Sequence, residues 1–114
     1  MLSITPQHKI FICIQPCDFR KGIDALIGYC ESQLNEDPFS GKIFVFRNRQ
    51  LTAIKILVYD GTGFWLCQKR FSSGKLTWWP RSHTETHKIT STNLVAMINQ
   101  SALSYEANSW HDVS

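Results

Sequence analysis

The sequence predicts an α+β domain: an antiparallel sheet of about five strands with two helices packed on one face. Three observations carry this. Short runs rich in β-branched and aromatic residues are punctuated by Pro, Gly, Asn and Asp. Two other stretches repeat apolar residues at steps of three and four, the period of one helix face. The strand runs lie mostly between those two helical stretches, an order that favours segregated helices and strands. A chain of 114 residues is read as one domain, with an ordered core over about 8–103 and a loose tail over 104–114.

The elements follow in order. Residues 9–14 (KIFICI) read as a strand, broken by Pro16. Asp18 stands where a helix N-cap belongs. Ile23, Leu26, Ile27, Cys30 and Leu34 then mark one face of an amphipathic helix, in which Gly22 is an interruption that propensity does not explain. Residues 35–38 (NEDP) stop the helix, because proline cannot continue it and restricts the residue before it. Residues 43–46 and 53–59 are strands, with a polar loop at Asn48, Arg49 and Gln50. Residues 60–63 (DGTG) carry a hairpin signature and lead into a strand over 64–69. Ser72, Ser73 and Gly74 read as a second hairpin turn into a strand over 75–79, which Pro80 ends. A polar Ser/Thr/His loop follows, then a short strand signal at 88–90. Thr90 or Ser91 caps a second helix whose apolar positions are Leu94, Val95, Ile98, Ala102 and Leu103. The expected core is Ile23, Leu26, Ile27, Leu34, Phe44, Phe46, Ile54, Ile56, Val58 and Leu66.

Charge is distributed unevenly. Residues 42–81 hold eight basic side chains and one acid, Asp60, a net +7, while the rest of the chain carries −4. Charged residues on the solvent side of a strand are ordinary. A surplus of this size is not the mixed surface of an inert domain. It favours a nucleic-acid partner over an acidic protein. Arg47, Arg49, Lys55, Lys69, Arg70 and Lys75 are expected on one connected surface, with Arg47, Lys55 and Lys69 sharing the polar parity of their strands. Trp65, Trp78 and Trp79 read as core residues first and as base-stacking platforms second.

Other chemistry is thin. Asp18, Asp24 and Asp60 are available carboxylates, but a cap and a turn account for two of them, so the chain is read as no enzyme. No glycine-rich phosphate loop and no cofactor signature is present. Cys13, Cys17, Cys30 and Cys67 show no paired spacing and are read as reduced thiols. A zinc site from Cys13, Cys17, His83 and His87 is the weaker alternative, since Cys13 sits in strand alternation. No apolar run reaches the roughly 20 residues of a membrane span, and residues 1–14 lack a signal-peptide pattern. A cytoplasmic protein with no membrane partner is expected. Nothing in the pattern sets an oligomeric state.

The run CDFRKGIDAL at residues 17–26 resembles a motif of a bacterial transposon family. Residues 37–41 (DPFSG), 43–49 (IFVFRNR), 55–57 (KIL), 60–64 (DGTGF), 69–70 (KR) and 79–80 (WP) are similar to further motifs of it, in order and at its spacing. The family is the TnpB accessory protein, the second open reading frame of insertion sequence sixty-six elements, unrelated to the RNA-guided nucleases of the same name. The resemblance covers about residues 8–103. Cys17, where the family often has Thr, and the 82–88 loop depart from it. It implies a non-catalytic factor required for transposition, encoded beside a larger transposase whose acidic triad performs strand transfer. DNA at the transposon ends and the element-encoded transposase are the implied partners. An adaptor that docks the transposase without touching DNA is the alternative. Arg20 and Lys21 fall in one of the motifs. Placed in a first helical turn they oppose the helix dipole, so they are read as serving a partner or a salt bridge.

Overall fold

The computed structural model describes residues 4–81 and 84–99. Strand β1 (Ile10–Cys13) is followed by helix α1 (Ile23–Ser32), strands β2 (Ile43–Arg47), β3 (Ala53–Tyr59), β4 (Phe64–Arg70) and β5 (Thr86–Ile89), and helix α2 (Ser91–Asn99). The five strands form one sheet in the order β4-β3-β2-β1-β5. Ile10 stands opposite Ile43 in a parallel β1–β2 pair, while β2–β3, β3–β4 and β1–β5 are antiparallel. The sheet is therefore mixed, not antiparallel throughout. The reason is the crossover: α1 lies between β1 and β2, and the connection is long enough to return the chain to the starting end.

Alternate residues of the same strands feed two cores. Ile10, Ile12, Ile43, Val45, Ile54, Ile56 and Val58 pack with Leu94, Ala96 and Met97 of α2. Cys13, Phe44, Phe46 and Leu57 pack with Leu26, Cys30 and Leu34. Because side chains alternate across a strand, the buried residues of α1 and α2 belong to opposite faces of the sheet, where the sequence predicts one. The interior strand β3 is buried at both parities from Ala53 to Val58. It reads as the near-continuous apolar run of a strand covered on both sides.

Local chemistry sets the helix ends. The N-cap of α1 is Gly22, with extended backbone and no side-chain cap, so the glycine precedes the helix rather than interrupting it. Asp18 instead organises the turn before the helix: its carboxylate accepts from the Arg20 N–H at 2.9 Å and its carbonyl from the Lys21 N–H at 3.0 Å. Arg20 and Lys21 therefore precede the helix, and Ile23 at its start is 38% exposed rather than buried. Asn35, at φ 58°, ends the helix in the left-handed region that Asn tolerates. Thr90 caps α2, its hydroxyl accepting from the Asn93 N–H at 3.1 Å. Val95 is exposed, and the expected Ala102 and Leu103 lie outside the described residues, as does the 104–114 tail.

Residues 75–79 are not a strand. The chain after β4 is stitched instead to the β2–β3 loop: Phe71 N–H donates to Thr52 O and Leu76 N–H to Leu51 O. Leu76 is buried in the α2-side core, and the Trp79 indole N–H donates to Cys13 O at 3.0 Å. This segment carries the chain from the β4 edge across the sheet end toward the β5 edge.

Candidate nucleic-acid interface

The candidate interface begins at the end of β2. Arg47 is its last residue, and Asn48 builds the loop that follows. The Asn48 side-chain oxygen accepts from the N–H groups of Thr52 (2.9 Å) and Ala53 (3.2 Å), while its amide donates to the Thr52 hydroxyl at 2.8 Å. Leu51 takes a positive φ of 61° to close the loop. Arg49 and Gln50 are left exposed at its tip.

Arg47 is half-buried at the base of this loop. Its Nη1 donates to the carbonyls of Asn48 and Arg49 at 3.3 Å each, and its guanidinium lies 5.9 Å from the Trp79 ring centre. Its Nε is buried without a hydrogen-bond partner. Burial lowers the pKa of Arg47, and the charges of Arg49 and Arg81 lower it further. Arg49 and Arg81 thus both sit within electrostatic reach of Arg47. Among the described residues the ion pairs are Asp18–Arg20 and Glu36–Lys42, so Arg47, Arg49, Arg70 and Arg81 have no acid against them there.

A cleft of about 470 Å³ opens beside Arg47, lined by Gln15, Leu76, Trp78, Trp79 and Arg81 among others. Trp78 and Trp79 are half-buried. The Trp78 ring meets His87 edge-on at 6.0 Å, and burial lowers the His87 pKa, favouring the neutral imidazole. A second cleft of about 370 Å³ lies between Asn48, Arg49 and Gln50 and the segment Pro16, Cys17, Asp18 and Phe19.

The eight residues singled out in the sequence divide. Arg47, Arg49 and Arg70 lie at this end of the sheet. Lys75 is exposed on the segment that crosses it. Lys69 is exposed beside them, but its Nζ donates to Ile98 O at 2.6 Å near the end of α2, where a cation suits the helix dipole. Arg20 is bound to Asp18 through Nε (3.1 Å) and Nη2 (2.8 Å), a salt bridge rather than a free cation. That bridge and the Arg20 amide pull the Asp18 carboxyl down to about 2. The Lys21 ammonium lies 5.1 Å from the Tyr29 ring centre.

Lys55 is 5% exposed, and its ammonium donates to Phe19 O (2.8 Å) and Lys21 O (2.7 Å). The shared parity expected for Arg47, Lys55 and Lys69 fails. Arg47 and Lys69 both stand opposite Ile54, on the α2 side, whereas Lys55 and Arg70 take the other face. An interior strand covered on both faces has no solvent side, so the cations gather at the sheet end instead of on one face.

The carboxylate and zinc alternatives are separated by the fold. Asp18 sits beside the Asn48–Arg49 loop, whereas Asp60 lies past the far end of β3, about 20 Å away by strand rise. Asp60 is a turn residue as read, accepting from Thr62, Gly63 and the Trp65 indole. The zinc pattern is also split. Cys13 lies in the α1-side core, His87 pairs with Ile12 on the other parity, and His83 lies outside the described residues. No group of three or more metal-ligating side chains occurs among the described residues. No helix among them is long and apolar enough to cross a membrane.

The sequence left Arg81 out of the candidate site and ranked Trp78 and Trp79 as core residues ahead of base-stacking ones, without a cleft between them. The signal was present as two indoles and an arginine within four residues, WWPR at 78–81. It was hidden because those residues read as a strand and its stop.

Comparisons with known proteins place the chain. An uncharacterized protein of Sinorhizobium fredii, y4jC, is 38% identical over 72 residues, 63% of this chain and 62% of that protein. A second from the same organism, y4hO, is 31% identical over 78 residues, 68% of each. The chain thus matches less than two thirds of the length of y4jC. No solved structure matches it. The model of the family described as IS66 Orf2 like protein matches residues 8–106, spanning every strand and helix above, and the chain belongs to that family.

Proposed function

We propose that this insertion-sequence accessory protein binds DNA at the transposon ends, alone or within the transposase–DNA complex, and leaves strand transfer to the transposase. Arg47, Arg49, Arg70 and Arg81, with Lys75 beside them, contact the phosphate backbone. The observation that carries the reading is the absence of any described acid against those four arginines, in a protein where the exposed Arg20 and the half-buried Lys42 are ion-paired. Phosphate contacts position a protein without reading sequence, and neither helix among the described residues has the side-chain pattern of a groove-reading element.

Fluorescence anisotropy with duplexes of the element's terminal inverted repeats tests the reading. Binding at low salt that weakens when Arg49, Arg70 and Arg81 are replaced together by Ala supports it. A protein that binds neither duplex nor single strand at low salt, yet co-purifies with the transposase, is an adaptor instead. One feature favours that second reading. Phe39, 54% exposed, packs edge-on against Tyr59 and Phe64 at the opposite end of the sheet, where a protein could dock.

A further inference from the structure

The cleft beside Arg47 has more than a backbone-contacting surface needs. A flat cationic patch neutralises phosphates; this one adjoins a concavity of about 470 Å³ walled by two indoles, within the size range of small-ligand sites. Trp79 is held by its bond to Cys13 O and carries the Arg47 guanidinium near its ring. Trp78 lines the same cleft, and Arg81 stands at its edge, exposed. Arg47 lines the cleft with its guanidinium held in place, Nη1 donating to the carbonyls of Asn48 and Arg49, and its positive charge would attract a phosphate there.

Resting on the DNA-binding reading, we infer that this cleft receives one unstacked nucleotide, so that the protein prefers single-stranded DNA to duplex. The phosphate lies against Arg47 and Arg81, and the base packs on Trp78. Bases within a duplex are stacked on one another and cannot reach such a wall, whereas those of a single strand can. Aromatic walls beside a cationic groove are the usual means of holding single strands.

The test compares three probes of about ten nucleotides, a typical site size: oligothymidylate, the same strand with abasic sugars, and a duplex. The expected order is oligothymidylate tightest, the abasic strand about tenfold weaker, as loss of one stacked base implies, and the duplex weaker than oligothymidylate. Trp78→Ala should abolish the gap between thymidylate and abasic strands while leaving duplex affinity unchanged. Because Trp78 is half-buried, Arg81→Ala serves as a second variant. Arg81 is exposed, and its loss should weaken the thymidylate and abasic strands alike. Equal affinity for thymidylate and abasic strands in the wild type overturns the nucleotide cleft and leaves the backbone reading standing. No binding to any of the three overturns both.

Discussion

Lys55 carries its ammonium into the fold and leaves it between two carbonyl oxygens, those of Phe19 and Lys21, with the Phe19 ring centre 4.9 Å away. It ties the centre of the sheet to the turn that launches α1. A buried charge is tolerated only when paired or hydrogen-bonded, and removing one partner leaves the others unsatisfied. Lys55→Met keeps the stem and deletes the donor. It should lower unfolding stability by about 1–3 kcal/mol, read as a reduced urea midpoint at unchanged slope. DNA affinity of the folded variant should be unaltered. Unchanged stability with weaker DNA binding would make Lys55 a phosphate ligand instead.

Two carboxylates at this scale have a testable acid signature. Asp18 is pulled to about 2 by the Arg20 side chain and then by its amide, and Asp60 to about 2 chiefly by the Thr62 amide, then by the Thr62 hydroxyl and Trp65. A depressed folded pKa contributes stability that is present above the unfolded value of about 3.9 and is lost as pH falls through about 2. Carboxyl NMR titrations should therefore place both midpoints near 2. In Arg20→Ala the Asp18 midpoint should move up toward the ordinary aspartate range. An Asp18 midpoint indifferent to Arg20 would mean that the turn amide alone holds the carboxylate.

Among elements, the β2–β3 loop matters most for the site, because Asn48 both closes the loop and sets where Arg49 stands. Asn48→Ala removes an acceptor shared by the Thr52 and Ala53 amides and a donor to the Thr52 hydroxyl. It should reduce stability by about 1–3 kcal/mol and weaken DNA binding as well, although no charge is removed. Denaturant melts and anisotropy on the same variant separate the two effects. An Asn48→Ala protein with wild-type affinity would show that Arg49 needs no fixed position.

Most elements were legible in the sequence, and the exceptions share a cause. Strands β2, β3 and β4 declare themselves through β-branched runs bounded by turn residues, and Thr90 through its capping position. What local pattern could not carry was relation. That β1 pairs parallel with β2 depends on where α1 returns the chain. Residues 75–79 have strand composition, yet the Leu76 amide pairs with the β2–β3 loop. Lys55 alternates like a surface lysine, but the turn at Phe19 and Lys21 covers that face. The candidate site was half legible for the same reason: Arg47, Arg49 and Arg70 gather at one end only once the register is known.

At the scale of the molecule, the two ends of the sheet differ in charge. At the end where β2 and β4 finish stand Arg47, Arg49, Lys69 and Arg70, with Arg81 near Arg47. At the other end Lys42 is paired with Glu36 at 2.8 Å and lies, like Lys88, over the Phe11 ring, and Asp60 closes the β3–β4 hairpin. A field of this shape steers an anionic polymer to one end of the protein. The most direct test is the salt dependence of duplex affinity for the wild type and for the Arg49→Ala, Arg70→Ala, Arg81→Ala triple variant. Log affinity should fall linearly with log salt in the wild type, and the triple variant should show a slope shallower by about 0.9 for each phosphate it no longer neutralises. Equal slopes for the two proteins would contradict the account, since the sheet end would then not be where the phosphates bind.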